Sequence, residues 1–277
     1  MSLHKVLGSL YRLFTLAFAV LVVASIAFDL RIGWWVFLPL VLGVGCVIAN
    51  GRLAAHHHKA APRQPIEVDP PVTGRWSALN SPADRTPSHG THQLGQTYAI
   101  DIVSEPEGAP RPGFAWLWPL ARSPRAFPAF GAPLYAAADA TVVAATDRQR
   151  DHLSRNSLLL VLWLLLAEGE LRGLVGSHRV LGNHVVLDLG DGVYAAYAHL
   201  RQGSLAVRPG DRVTAGQLIG RCGNSGNSSE PHLHFQLMDS PDVDTARGIP
   251  FTWRGVGVPG GGEKFTVGDA SAVIMRE

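Results

Sequence analysis

The chain has 277 residues, 47% of them hydrophobic, and a formal net charge of +2. Its hydrophobic content excludes a disordered chain, and its small net charge gives no support for a nucleic-acid binder, which needs a concentrated basic face. Of the 24 Lys+Arg and 22 Asp+Glu residues, only Lys5, Arg12, Asp29 and Arg31 lie in the first 50 positions. An apolar front therefore precedes a polar body, which excludes one uniform soluble domain.

The apolar front contains two uncharged runs, residues 13–28 and 32–49, separated by Asp29-Leu30-Arg31. A membrane-spanning helix needs about 20 apolar residues. We predict an α-helical transmembrane hairpin within residues 1–50. A cleaved signal peptide is the less favoured alternative, because the first run is long and a second run follows it at once.

Residues 51–75 contain four prolines and are predicted to form an extended linker (Pro62, Pro65, Pro70 and Pro71). Residues 76–255 then alternate short apolar runs with turns rich in Gly, Pro, Asn and Asp, a pattern typical of an antiparallel β-sandwich or barrel. Predicted strands are residues 98–103, 140–145, 184–189, 193–199, 217–221 and 232–238. Residues 256–277 are interpreted as a C-terminal tail.

Cysteine and histidine usage restricts the chemistry of the body. Cys46 and Cys222 lie in different parts of the chain, so neither a disulfide framework nor a Cys-rich zinc site is expected. Any metal must then be bound by His and carboxylate. His232 and His234 share one face of a predicted strand, because successive strand residues point to opposite faces.

Two further segments offer polar groups of the same kind. Tyr197-Ala-His199-Leu places a histidine at the end of a strand, and Asp101 alternates with apolar residues in another strand. His89 and His92 precede that second strand. Catalytic zinc sites commonly use three His or carboxylate ligands and leave one position for water.

Three sequence blocks carry a more specific resemblance. They are GNHVVLDLGDGVYAAYAHL (residues 182–200), VRPGDRVTAGQLIG (residues 207–220) and CGNSGNSSEPHLHF (residues 222–235). In order and spacing they resemble the lysostaphin-like zinc metallopeptidases, also called the LytM or Gly-Gly endopeptidase family. The resemblance covers residues 85–240 and implies a mainly β fold, an antiparallel β-sandwich or barrel-sandwich hybrid.

The resemblance implies a Zn²⁺ cofactor and a role for each site residue. It makes Asp101 and His234 zinc ligands, and His199 and His232 catalytic residues. The usual family histidine, four positions before the aspartate, is Thr97 in this chain. The first ligand is therefore His89 or His92; we favour His89 and leave His92 open.

The implied function is that of a membrane-anchored zinc metalloendopeptidase that hydrolyses peptide bonds of bacterial peptidoglycan. The alternative is a non-catalytic scaffold of the same fold that regulates another cell-wall hydrolase. Such a substrate requires the body to lie outside the bacterial cell membrane. The basic residues that flank the hairpin (Lys5, Arg12, Arg52, Lys59 and Arg63) instead favour the cytoplasm by the positive-inside rule.

Residues 147–181 form an insertion relative to the family pattern and contain the run LLLVLWLLL at residues 158–166. This run is too short to span a bilayer and is predicted to be an inserted helix. Three roles are open for it: an added packing element, a contact with the lipid bilayer surface, or an interface for a partner.

Overall fold

The computed structural model describes residues 3–60 and 63–268. The chain divides into two compact units, Met1–Pro62 and Arg63–Glu277. The first unit is helical, and the second is formed mainly of strands.

The first unit is a helical hairpin. Helix α1 (Leu3–Ala27) and helix α2 (Leu38–Ala60) pack against each other and are joined by a 3₁₀ helix (Gly33–Phe37). Two stretches, Val6–Ala27 and Gly33–His56, are long and apolar enough to cross a membrane. Helix α2 continues through residues 51–60, the first part of the predicted extended linker. The prolines begin only at residue 62, and the Ala and Leu residues before them favour a helix.

The second unit is built on a large sheet with strand order β13-β2-β3-β10-β7-β6-β5-β8, and β11 also pairs with β10. Two small sheets, β1-β12 and β4-β9, share its hydrophobic core. Every pairing is antiparallel except that of β1 with β12. The strands are β1 Ile66–Val68, β2 Gly74–Asn80, β3 Ile100–Ser104, β4 Pro133–Tyr135, β5 Ala140–Thr146, β6 Asn183–Gly190, β7 Val193–Leu200, β8 Arg212–Val213, β9 Leu218–Arg221, β10 Leu233–Met238, β11 Gly248–Ile249, β12 Phe251–Trp253 and β13 Lys264–Val267.

The predicted fold class, a mainly antiparallel β domain preceded by two long apolar helices, is confirmed. Within the described residues the strands do not close into a barrel. Each predicted strand is present, with ends shifted by one or two residues. The body is thus an open, layered β structure.

Strand β10 separates the core from the polar face. Leu233, Phe235 and Leu237 are fully buried in the hydrophobic core between the sheets. His234 and Gln236 alternate with them and therefore point to the opposite face. The β10 backbone consequently holds its polar side chains on a rigid, buried strand.

The segment predicted as a C-terminal tail contains a strand. Strand β13 pairs with β2, in register from Lys264 opposite Ser77 to Val267 opposite Gly74. Phe265 packs on Trp253 with ring centroids 5.7 Å apart, which ties the strand to the core. The remainder of the predicted tail, residues 269–277, lies outside the described residues.

The insertion at residues 147–181 is helical but broken into short pieces. They are α3 (Leu158–Trp163), a π-helical stretch (Leu164–Glu168), α4 (Gly169–Val175) and α5 (Ser177–Leu181). Gly176, at a φ of 138°, ends α4 in a conformation that only glycine adopts readily. One continuous helix therefore does not form across the insertion.

Candidate metal and catalytic centre

Neighbouring strands bring the predicted site residues together. In the pairing of β10 with β3, His234 lies opposite Asp101. In the pairing of β10 with β7, His234 lies opposite Ala198, so His199 follows directly beside it. Residues more than a hundred positions apart in the chain thereby share one edge of the polar face.

Asp101 lies at the centre of a compact group. Its Oδ2 is 2.8 Å from Nε2 of His89, and its Oδ1 is 2.9 Å from Nδ1 of His234. The three candidate ligand atoms lie within 4.8 Å of one another. Asp101 and His234 are buried, and His89 is partly exposed. His89 is the most exposed of the three side chains, at 15% against 9% for Asp101 and 5% for His234.

Of the two candidate first ligands, only His89 belongs to this group. Its loop follows β2 and folds back over β3, and its Nδ1 lies 3.0 Å from the Ser88 hydroxyl. His92 contacts a different residue: its Nδ1 is 3.1 Å from Oγ1 of Thr97. Thr97, at the position of the usual family histidine, is buried and faces His92.

Two polar residues that sequence reasoning missed orient the group. Gln236 Oε1 lies 3.0 Å from Nε2 of His234, while its Nε2 donates to the Leu94 carbonyl at 2.8 Å. Asn80 Nδ2 donates to Oδ2 of Asp101 at 2.8 Å. Such partners fix the ring orientation of metal-binding histidines. Strand alternation could have identified Gln236, because it is the next residue on the face that carries His232 and His234.

His199 and His232 form a second pair beside the group, with ring centroids 4.7 Å apart. His199 Nδ1 lies 2.9 Å from the Ser225 carbonyl, and His232 Nδ1 lies 2.7 Å from the Glu230 carbonyl. Because each Nδ1 faces a carbonyl acceptor, it carries the hydrogen. Each Nε2 is then left as the proton acceptor, and that of His232 lies 3.6 Å from Oδ1 of Asp101.

The charges of the group set its protonation. Burial opposes ionisation of Asp101, but His89, His232 and His234 outweigh burial and hold the pKa of this carboxyl well below its usual value. Burial, with repulsion from His232 and His234, lowers the pKa of His199 well below its ordinary value. Burial likewise lowers the pKa of His232. The pair is therefore neutral near pH 7.

The donor set fits zinc. Zinc in proteins takes imidazole nitrogen and carboxylate oxygen, and catalytic sites commonly have three protein ligands. Burial works against a charge on His234, but the Asp101 carboxylate outweighs burial and raises the pKa of His234. Two histidine nitrogens, from His89 and His234, thus lie 2.8 and 2.9 Å from the Asp101 carboxylate oxygens.

Comparison with known proteins shows that one segment of the chain matches a family model. Residues 166–245 match the model of Peptidase family M23. His199, His232 and His234 lie inside the matched segment, whereas His89 and Asp101 precede it. The predicted resemblance to the lysostaphin-like peptidases is confirmed by this match.

Curated relatives match short segments of the chain. Peptidoglycan DD-endopeptidase ShyA of Vibrio cholerae is 39% identical over 62 residues, which are 22% of this chain and 14% of that protein. Glycyl-glycine endopeptidase ALE-1 of Staphylococcus capitis is 50% identical over 58 residues, 21% of this chain and 16% of that protein. Cell division protein DipM of Caulobacter vibrioides is 34% identical over 77 residues, 28% and 12% respectively. The matched segment thus spans about one seventh of the length of these relatives.

Solved structures with some likeness include two peptidases. The catalytic domain of lysostaphin from Staphylococcus simulans has 22% identity, a TM-score of 0.33, and coverage of 62% of this chain and 84% of that one. A zinc-containing peptidase from Vibrio cholerae has 19% identity, a TM-score of 0.30, and coverage of 64% and 36%.

The family is zinc-dependent, and His89, Asp101 and His234 are positioned to bind a metal ion. The family match, the three sequence blocks that lie inside it and the geometry of the polar face agree with one another. Residues 166–245 are thus similar to Peptidase family M23, and the curated relatives that match the chain include glycyl-glycine endopeptidase ALE-1 and lysostaphin.

Proposed function

We propose that the chain is a membrane-anchored zinc metalloendopeptidase that cleaves peptide bonds of bacterial peptidoglycan. The observation that carries the proposal is the group of His89, Asp101 and His234 beside the neutral pair His199 and His232. A ligand group next to neutral bases is what metal-assisted hydrolysis of a peptide requires.

The metal and the chain divide the chemistry between them. Zinc, when bound by His89, Asp101 and His234, supplies Lewis acidity that polarises the scissile carbonyl and acidifies water. Gln236 and Asn80 hold the ligand side chains in place through the contacts described above. The ligand side chains are therefore already held in place and need little rearrangement to bind a metal ion.

His199 and His232 supply the proton transfers. Each is neutral and holds Nδ1–H on a backbone carbonyl, so its Nε2 accepts a proton from the attacking water. The protonated ring then donates that hydrogen to the leaving amine nitrogen. Its positive charge also stabilises the oxyanion that forms at the carbonyl. The proposed mechanism gives these roles to the pair jointly.

The substrate class is proposed from the relatives. One of them is named a peptidoglycan DD-endopeptidase and another a glycyl-glycine endopeptidase, so both act as endopeptidases and the first on peptidoglycan. The segment that matches the family model contains His199, His232 and His234. A peptide of the cell wall is accordingly the substrate class we propose.

The location is proposed from the helical hairpin. Val6–Ala27 and Gly33–His56 are long and apolar enough to anchor the chain in the cell membrane. The substrate places the peptidase domain outside the cytoplasm, against the bias of the flanking basic residues. A cysteine introduced at the exposed turn residue Asp191 tests this choice. Labelling of Asp191→Cys in intact cells by a membrane-impermeant maleimide supports an external domain, and labelling only after lysis contradicts it.

Activity is tested on the full chain in detergent micelles with purified peptidoglycan. We expect the zinc-loaded protein to release new amino termini, and the His232→Ala variant to bind zinc without releasing any. His92→Ala is the matched control, because His92 lies outside the ligand group, and it should retain activity. Zinc bound in wild type without any cleavage would instead favour the alternative function, a non-catalytic scaffold that regulates another cell-wall hydrolase.

A further inference from the structure

Two segments that lie wholly or partly before the family match at residues 166–245 are next to each other in the structure. The first is the loop at residues 105–122, and the second is the insertion at residues 147–181. Ala115 bridges to Ser157, and Arg122 bridges to Ser154. The Ser157 hydroxyl also donates to the Leu120 carbonyl at 2.6 Å. The loop and the insertion are therefore one substructure, here called the insertion surface.

The insertion surface exposes large apolar side chains. Trp118 is 80% exposed and Leu166 is 75% exposed, whereas Leu164 is the one residue of the 158–166 run that is buried in the described structure. The other exposed apolar residues are Phe114, Trp116, Leu117, Leu120, Leu153, Leu159, Leu162, Trp163, Leu165, Leu171, Leu174 and Val175. If the insertion were only an added packing element, most of these side chains would be buried. So many exposed apolar side chains in one substructure indicate an interaction site.

The aromatic content indicates which partner fits. Three of the seven tryptophans of the chain, Trp116, Trp118 and Trp163, are more than half exposed on this surface. Tryptophan concentrates at the boundary between lipid headgroups and acyl chains, where its ring is apolar and its N–H stays hydrated. Leucine and phenylalanine beside it are typical of elements that lie in the bilayer interface.

Four exposed arginines lie in or beside the two segments of the surface. Arg125, Arg148, Arg150 and Arg179 are exposed and form no ion pair within the part of the chain that the structure describes. Arg150 lines a cleft of about 420 Å³ together with Arg155, Asp151, and Leu160 and Trp163 from the apolar run. A guanidinium beside apolar side chains suits an anionic lipid headgroup above its acyl chains.

Most acidic groups of the insertion are engaged within the fold. Asp147 accepts from the Gly203 N–H at 2.8 Å, and Asp151 accepts from the Asn224 N–H at 2.7 Å. Glu168 pairs with Arg155 and with Arg172 at 2.8 and 2.7 Å. These carboxylates keep their negative charge, but their oxygens bind backbone N–H groups or Arg155 and Arg172.

A short segment joins the candidate membrane spans to the β domain. The second candidate span ends at His56, and strand β1 begins at Ile66. Ten residues extend at most about 35 Å. Over so short a tether, even weak affinity for the bilayer suffices to dock the domain.

We propose that the insertion surface docks on the face of an anionic lipid bilayer, with its tryptophan and leucine side chains in the interface and its arginines at the headgroups. The proposal rests on the membrane anchor of the proposed function. The insertion also holds the loop before His232, because Arg155 N–H donates to the Ser229 carbonyl at 2.6 Å. Docking therefore sets the orientation of the catalytic pair relative to the membrane.

The test uses the full chain reconstituted in vesicles of phosphatidylcholine with phosphatidylglycerol. A polarity-sensitive fluorophore is attached at Leu117→Cys, at Leu166→Cys or, as the control, at Asp191→Cys, each in the Cys46→Ser background. Cys222 is fully buried and does not compete for the label. We expect blue-shifted emission and quenching by nitroxide-labelled lipid at 117 and 166, and quenching by aqueous iodide at 191. Arg150→Gln should lower the docked-to-undocked ratio about fivefold.

The outcomes separate the two proposals. Protein that remains with the vesicles after an alkaline wash, but is quenched by iodide alike at 117, 166 and 191, overturns docking and leaves the anchor standing. Labels shielded from both quenchers indicate a protein contact, such as a second copy of the chain, and also overturn docking. Protein removed by the wash means that the anchor itself is wrong, and docking fails with it.

Discussion

The ion pair behind His232 permits a quantitative prediction. Nε of Arg111 lies 3.2 Å from Oε2 of Glu230, whose side chain is only 8% exposed, against 26% for Arg111. The Glu230 carbonyl accepts from His232, so this pair also supports a proposed catalytic residue. Arg111→Ala leaves a buried carboxylate whose remaining contact is the Asn156 amide, 3.4 Å away.

The magnitude follows from the burial of the two partners. Breaking a fully buried pair costs about 3–5 kcal/mol, and a surface pair is worth less than about 1 kcal/mol. Because Arg111 is one quarter exposed, we expect Arg111→Ala to lose about 2–3 kcal/mol of unfolding free energy at pH 7. For a body of this size the loss corresponds to a fall in Tm of roughly 4–12 °C.

The pH dependence gives the prediction a second signature. Burial raises the pKa of Glu230 above its ordinary value, and the charges of Arg111 and Arg122 oppose the rise. Without Arg111 the folded-state pKa rises further. The electrostatic cost of Arg111→Ala is therefore absent below the folded-state pKa of Glu230 in wild type, and it grows as pH rises from that value to the higher folded-state value of the variant.

The assay is urea unfolding of the full chain in detergent micelles, followed by tryptophan fluorescence between about pH 4 and pH 8, the window in which the carboxyl titrates. Glu230→Gln is the matched control: it keeps an amide for Asn156 but removes the charge, and it should lose less stability with no comparable pH dependence. Equal stability of Arg111→Ala and wild type at pH 7, or a loss that does not change with pH, would refute the reasoning.

Three further predictions concern the support of the site. Tyr197→Phe removes the hydroxyl that accepts the buried N–H of Ala137 at 2.8 Å, and should cost about 1–3 kcal/mol in urea unfolding; a stability equal to wild type would be the contrary result. At Gly226, with φ of 70°, a Cβ would lie 2.5 Å from a backbone carbonyl oxygen, so Gly226→Ala should cost about 3 kcal/mol or more. Gly192→Ala is its control, since φ is 68° with nothing within 4 Å, and a cost as large there would refute the steric argument. Burial raises the pKa of the Cys222 thiol, so maleimide should label it only after denaturation, and labelling of the folded protein would contradict its buried placement.

Much of the fold was predictable because its strands are locally encoded. Alternating residues such as Leu233, His234 and Phe235 predict one buried and one polar face, and the structure has that arrangement. The Gly-Asp-Gly turn between β6 and β7 uses positive φ at all three residues, which its composition favours. Periodicity and turn chemistry are properties of a few neighbouring residues, so a single sequence displays them.

Other features depend on distant partners and were not predictable in this way. Strand β13 is short, and its pairing is decided by β2, almost two hundred residues earlier. The loop at residues 105–122 has no periodic pattern. Its exposed Trp116 and Trp118 form part of an apolar surface only because the loop pairs with the insertion at residues 147–181.

The choice of the first ligand is the clearest case. His89 and His92 lie three residues apart in a loop, and no local rule decides which ring turns toward Asp101. In the structure the Ser88 hydroxyl and the course of the loop direct His89 to the carboxylate, while His92 meets Thr97. The assignment of His89 as ligand stays a prediction until metal binding is measured.

That measurement is zinc content per chain, by elemental analysis after exhaustive dialysis, for wild type and for His89→Ala, His234→Ala and His92→Ala. The proposed ligand group predicts equimolar zinc in wild type and in His92→Ala, and loss of zinc in His89→Ala and His234→Ala, with all four proteins folded by circular dichroism. Zinc retained by His89→Ala and lost by His92→Ala would contradict the assignment of the site.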